Sequence, residues 1–149
     1  MRELHPQDLA TDDAWKLLAS IGFGRVVFTR HALPVIRPTN HLVDGETLII
    51  HDNLAADHQT VAYEADTLDH THHTGWCVIV TGTTEPVTDP TDITHYRHVL
   101  HPSLPGPRHR LARIHPDHIT GIEYLVPRVG VHQPALPTDG YPKDQAPQP

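Results

Sequence analysis

Apolar and polar positions alternate with a period of two over much of the chain, which predicts strands, and switch to helical spacing in short stretches only. Between Gly24 and Asn53 three short apolar segments run back to back: Arg25 to Thr29, Leu33 to Val43 and Thr47 to His51. They are rich in β-branched and aromatic residues, and Asp44-Gly45 between the last two is a strong hairpin signal, so they read as a meander. The turns are too short for parallel crossovers, which makes the pairing antiparallel. Pro38 interrupts the middle segment and removes a ladder donor, so that strand must lie at an edge or carry a bulge.

Helical spacing occurs first after Thr11, read as an N-cap, with Asp12 and Asp13 in the first turn, Trp15, Leu18 and Ile21 on one face, and Gly22 and Gly24 as the stop. Asn53 to Thr60 reads as a brief helical turn, Val61 to Asp66 as a strand, and Thr67 to Thr74 as a polar loop. The run from Trp76 to Val87 fits a long strand buried on both faces near its start. Asp89-Pro90 supplies an N-cap and a first-turn proline for a helix reaching Leu100, and Arg110 to Ile114 and Thr120 to Val126 read as two closing strands. About six antiparallel strands with short helices predict a mainly β chain folded as a small barrel. Residues 1–126 form its domain, and the Pro-rich 127–149 segment is a loose tail that lacks the apolar area to offset its ordering entropy.

With 149 residues, one domain buries roughly 70% of the surface of the unfolded chain. No stretch approaches the ~20 apolar residues of a membrane span and the N-terminus does not resemble a secretory signal, so no membrane partner and a cytoplasmic location are expected. Cys77 is the single cysteine, which excludes an internal disulfide and paired-thiol redox chemistry. The net charge of −7 and the scattered arginines argue against nucleic acid. No Gly-x-Ser-x-Gly elbow supports hydrolase chemistry.

Several pieces recur in a telling order: Gly24-Arg25, the strand with Pro38-Thr39-Asn40-His41, Asp44-Gly45, the run Gly75-Trp76-Cys77-Val78-Ile79-Val80 with Gly82, and Arg113-Ile114-His115-Pro116 with Ile119-Thr120-Gly121. Over residues 8–124 this order resembles the pyridoxamine 5′-phosphate oxidase-like family of flavin-binding split barrels. The resemblance implies a split β-barrel of the FMN-binding type, assembled as a homodimer with FMN in grooves between the subunits, and an oxidoreductase passing hydride to a small-molecule substrate. It also implies that Arg37, Pro38, Thr39 and Asn40 run alongside the isoalloxazine ring, that His51, Asp52 and Asn53 approach the ribityl phosphate, and that Trp76 lines the groove. The flavin carries the hydride chemistry itself, so no catalytic acid or base is required of the protein.

One departure stands out. Tight binders in the family carry Arg or Lys at the end of the third strand and in the next helix, because a dianionic phosphate is best held by charge-assisted donors. Here His51-Asp52 ends that strand, and Leu54 to Gln59 contains neither. A deazaflavin coenzyme or haem on the same barrel, in an enzyme or in a binding protein, therefore stays open beside FMN. True pyridoxamine phosphate oxidation, which needs a second phosphate pocket, is disfavoured for the same want of basic residues.

Each candidate also has a plain structural reading. Asn40 satisfies backbone at an irregular strand, Trp76 packs in the core or an interface, His51 is a strand-end surface residue, and Gly24, Gly75 and Gly82 are turn or bulge positions. The 15 histidines include His70, His72 and His73 in one loop and His95, His98 and His101 at three-residue steps. None matches a zinc-ligand motif, so a His-rich metal binder is a third alternative and no metal ligand is assigned.

Overall fold

The computed structural model describes residues 5–52, 58–100 and 110–125. In chain order the elements are β1 (His5–Asp8), α1 (Thr11–Ala19), β2 (Phe23–Arg30), β3 (Leu33–Asp44), β4 (Thr47–Asp52), β5 (Thr60–Asp66), β6 (Gly75–Pro86), α2 (Pro90–Val99) and β7 (Arg110–Leu125). The sheet order is β1-β7-β4-β3-β2-β5-β6, and an additional β6–β7 pairing closes it into a ring. All pairings are antiparallel. Six strands thus make the barrel, as the alternating pattern predicts. The seventh, β1, pairs only with the end of β7, and four polar-rich residues carry no alternation that would reveal it.

The expected pair of closing strands is one continuous strand of 16 residues. Arg110–Ile114 pair with β4, the strand from Ala112 onward pairs with β6 on its other side, and its end pairs also with β1. A register shift between Thr81 and Gly82 lets it bend around the barrel without breaking. Gly82 is forced there: a Cβ on it would lie 2.1 Å from the His115 carbonyl oxygen.

Inward-facing residues of five barrel strands, including Val26, Phe28, Leu48, Ile50, Val61, Tyr63, Val78, Val80 and Ile114, form the main core with Ala14 and Leu18 of α1, and β3 adds the partly buried Val35 and Val43. Helix α1 begins after Ala10, without a side-chain cap, so Thr11 is its first helical residue and not the cap its chemistry suggests. The helix ends at Ala19, and Gly24 lies inside β2, where a Cβ would strike the Glu64 carbonyl and the Tyr63 ring at about 2.5 Å. A second, smaller core of Ile49, Tyr96, Leu100 and Leu111 lies beneath α2. Asp89 caps α2 as expected, accepting from the Thr91 and Asp92 amides. The Tyr96 hydroxyl ties the helix to the barrel by donating to Asp44 and accepting from Arg113, 2.6 Å away.

Strand β6 departs from the sequence reading on its outer face. Trp76, Val78 and Val80 are buried, but Ile79 is 41% exposed, so the strand is covered on one face only. Ile79 shares that side with Ile122, opposite Cys77 on β7 and also exposed.

Candidate functional site

The architecture turns on a change of partner within β3. From Leu33 to Asn40 the strand pairs with β2; from His41 to Asp44 it pairs with β4. Beyond Ile50, β4 continues with β7, matching His51 to Leu111 and Asp52 to Arg110. The two strands therefore part at Asn40 and His51, and the barrel splits there. Arg37, Pro38, Thr39 and Asn40 form one lip and His51 and Asp52 the other. Asn53 lies outside the described residues. Among the described residues, the Leu33–Asn40 stretch has a strand neighbour on one side only, so Pro38 sits on an open edge; its pairing with β2 is regular and carries no bulge.

The side chains of that lip divide by position along the strand. Arg37 and Pro38 are exposed. Thr39 and Asn40 are buried, at 7% and 5% exposure, and their polar atoms bond within the chain. Asn40 Nδ2 donates to the Gly22 carbonyl at 3.0 Å, and the Thr39 hydroxyl donates to the Asn40 carbonyl at 3.2 Å. Asn40 thereby holds the lip against the α1–β2 connection, while the Thr39 bond stays within the strand.

His41, not singled out for chemistry in the sequence, anchors the same segment. Its Nε2 lies 2.8 Å from the Leu18 carbonyl, which can only accept, so Nε2 carries the proton and Nδ1 accepts from the Tyr63 hydroxyl at 2.5 Å. The rings meet edge to face with centroids 5.1 Å apart. Burial lowers the His41 pKa, with hydrogen bonds to the Leu18 and Ile21 backbone opposing it, and burial, helped by Glu64, raises that of Tyr63. Both rings thus stay neutral, and the pair is a structural lock.

Trp76 is 7% exposed and belongs to the main core; no described hydrogen bond or ring contact joins it to the split. His51 is half-buried and shares a face with Leu111, its register partner beneath α2. Arg110, opposite Asp52, brings a guanidinium-bearing residue to the end of β4 that local sequence could not supply. It is distant in the chain and visible only through the β4–β7 register.

A separate group sits on the uncovered outer face. Arg25 Nη1 lies 3.6 Å from Glu64 Oε2 and 3.9 Å from Asp66 Oδ2, and the Cys77 thiol donates to Glu64 Oε1 at 3.7 Å. Desolvation, then the Asp66 carboxyl beside it, pushes the Glu64 pKa up to about 7 against the pull of Cys77 and Arg25. Burial and the same carboxylates push the Cys77 thiol up to about 11, which keeps it protonated and unreactive. The loop histidines do not assemble: His72 pairs with Asp69 at 2.7 Å, and among the described residues no three His, Cys, Asp or Glu side chains are placed to hold a metal. His101 lies outside the described residues.

Similarities to known proteins agree with this architecture. The model of the pyridoxamine 5′-phosphate oxidase family matches residues 10–123. An uncharacterized protein of Mycobacterium tuberculosis is 43% identical over 129 residues, covering 79% of this chain and 85% of its own. A Corynebacterium glutamicum structure provisionally assigned as a pyridoxamine 5′-phosphate oxidase superposes with a TM-score of 0.68 at 31% identity, over 80% of this chain and 93% of that one. The FAD binding protein of Mycobacterium smegmatis does so with a TM-score of 0.62 at 26% identity, over 81% and 100%. The FAD and haem binding protein of the same organism, at 15% identity, shares the fold with a TM-score of 0.57. No helix of the described residues is long and apolar enough to cross a membrane.

Proposed function

This chain belongs to the pyridoxamine 5′-phosphate oxidase family, and from that premise we propose that it holds a flavin nucleotide in the split between β3 and β4. A second copy completes the crevice, and the assembly acts as a flavin-dependent oxidoreductase on a small organic acceptor. The observation that carries this reading is the parting of the strands at Asn40 and His51, which leaves one edge of Leu33–Thr39 without a strand neighbour among the described residues.

The residues present suit such a group. An open edge offers amides and carbonyls that a heteroaromatic ring with its own donors and acceptors can pair with, and Pro38 leaves a gap in the donor row. Arg37 adds an exposed cation on one lip, while Arg110 stands across from Asp52 at the other, where a phosphate needs charge-assisted donors. Thr39 and Asn40 contribute through their bonds within the chain, Asn40 by fixing the edge to the α1–β2 connection. When bound, the flavin supplies the hydride chemistry; the chain binds it, orients it and excludes water.

Support for the second copy comes from Ile79 and Ile122, 41% and 36% exposed and neighbours on the outer face of the β6–β7 pairing. Apolar surface gathered on one face favours burial against a partner. FMN is the first candidate cofactor, and the FAD binding protein of M. smegmatis, 26% identical, puts FAD beside it.

The absorption spectrum of the full-length protein, titrated with FMN and with FAD, tests the proposal. One flavin bound per subunit and bleached anaerobically by a reduced nicotinamide nucleotide supports the enzyme. A flavin that no such donor reduces, or a Soret band with added haem, supports a carrier on the same barrel. Protein that takes up neither flavin contradicts the site.

A further inference from the structure

The smaller core beneath α2 leaves a cleft between that helix and the start of β7, with a volume of about 430 Å³, within the range of small-molecule sites. Val87, Ile93 and Leu111 give it an apolar floor, and Thr88, Arg97 and Arg110 surround them. Among the described residues no carboxylate lines it, although the chain carries a net charge of −7. An adjoining hollow along α2 shares Arg97 and adds Thr94, His95 and His98, again without an acid among the described residues.

Arg97 differs from Arg25 and Arg113, which have acid partners. Arg25 is held by Glu64 and Asp66, and Arg113 by Asp92 and the Tyr96 hydroxyl. Among the described residues no carboxylate lies within 4.0 Å of Arg97, which is exposed on α2 next to the buried Tyr96. The helix cannot easily turn the residue away, because Asp89 fixes its start and Tyr96 fixes its face.

We propose that this cleft binds a small amphipathic anion, with its apolar body on Val87, Ile93 and Leu111 and its carboxylate or phosphate head on Arg97. A planar guanidinium with no competing carboxylate matches such a head in a bidentate manner, and the apolar floor selects against a bare inorganic ion. The cleft reaches the His51–Asp52 lip of the split through Arg110 and Leu111, but Arg97, which would hold the head, stands on α2 and has no part in the flavin reading.

Amide chemical shifts of the labelled full-length protein test this, with phenyl phosphate, benzoate, inorganic phosphate and benzyl alcohol as probes. Phenyl phosphate or benzoate is expected to move the amides of Thr88, Ile93, Arg97 and Leu111 saturably, and the tighter of the two identifies the preferred head. Arg97→Gln should weaken that binding at least tenfold, and Arg97→Lys should weaken it less, with both variants melting like the parent. The proposal is overturned if neither aromatic anion moves those amides, if Arg97→Gln binds as the parent does, or if inorganic phosphate or benzyl alcohol binds equally well.

Discussion

The Tyr63 hydroxyl donates to His41 Nδ1 over 2.5 Å, joining β5 to β3 at the residue where β3 changes partner. Because Nε2 of the same ring reaches the Leu18 carbonyl, one neutral imidazole links α1, β3 and β5. Removing its donor leaves a buried acceptor without a partner. Tyr63→Phe is therefore expected to cost about 1–3 kcal/mol, read as a lower urea midpoint with an unchanged slope. An unchanged midpoint would show that the contact contributes nothing.

The same ring sets a pH dependence. The His41 pKa is lowered in the fold, so the unfolded chain binds the proton more readily. The contribution is fully present above the unfolded value near ~6.5 and fades as pH falls below it toward the folded value. Urea midpoints should drop between pH 7.5 and 5.5, and His41→Gln should flatten that part of the profile. Identical profiles for parent and variant would assign the acid sensitivity elsewhere.

Glu64 has the opposite sign. Desolvation and the neighbouring Asp66 hold it protonated up to about 7, above its unfolded value, so its contribution is complete at low pH and is lost as pH rises through 7. Glu64→Gln, a permanent mimic of the protonated form, should gain stability relative to the parent at pH 8.5 and show much less gain at pH 5. A gain of equal size at both values would exclude a titrating carboxyl as the cause.

Gly82→Ala places a methyl group against backbone, 2.1 Å from the His115 carbonyl oxygen and 2.8 Å from its carbon. Strand β7 must then shift at its bulge, and a loss of about 1–3 kcal/mol or more is expected from such overpacking. Thermal melts compared with Gly45→Ala, whose Cβ meets nothing within 4 Å but whose φ of +60° carries its own strain, separate crowding from backbone conformation. Gly82→Ala losing less than Gly45→Ala would contradict the crowding account.

Much of this barrel was legible along the chain, because burial on one face of a strand writes itself as alternation. The β2–β3–β4 meander, β5, β6 and the Asp89 cap of α2 stand where the pattern puts them. Elements governed by distant contacts were not legible. β1 exists only because β7 offers it an edge, and β7 runs unbroken through a Pro116 that looks like a stop, because a register shift absorbs it. For the site, sequence could place Pro38 at an edge through its missing donor. It could not tell that Asn40 would turn to the Gly22 carbonyl, nor that Arg110 would stand opposite Asp52, since both facts depend on register across the barrel. The outer face of β6 is instructive in another way: its apolar residues read as buried, and one chain leaves Ile79 uncovered.

The central claim is that a flavin lies along the open edge of β3, and Arg37, exposed on that lip with no role in the core, is the residue to change. Flavin affinity should be measured by fluorescence quenching for the parent, for Arg37→Glu, and for Glu46→Ala in the exposed β3–β4 turn. The account predicts at least tenfold weaker binding in Arg37→Glu, with the melting temperature of the parent, and no change in Glu46→Ala; equal affinities for all three would contradict it.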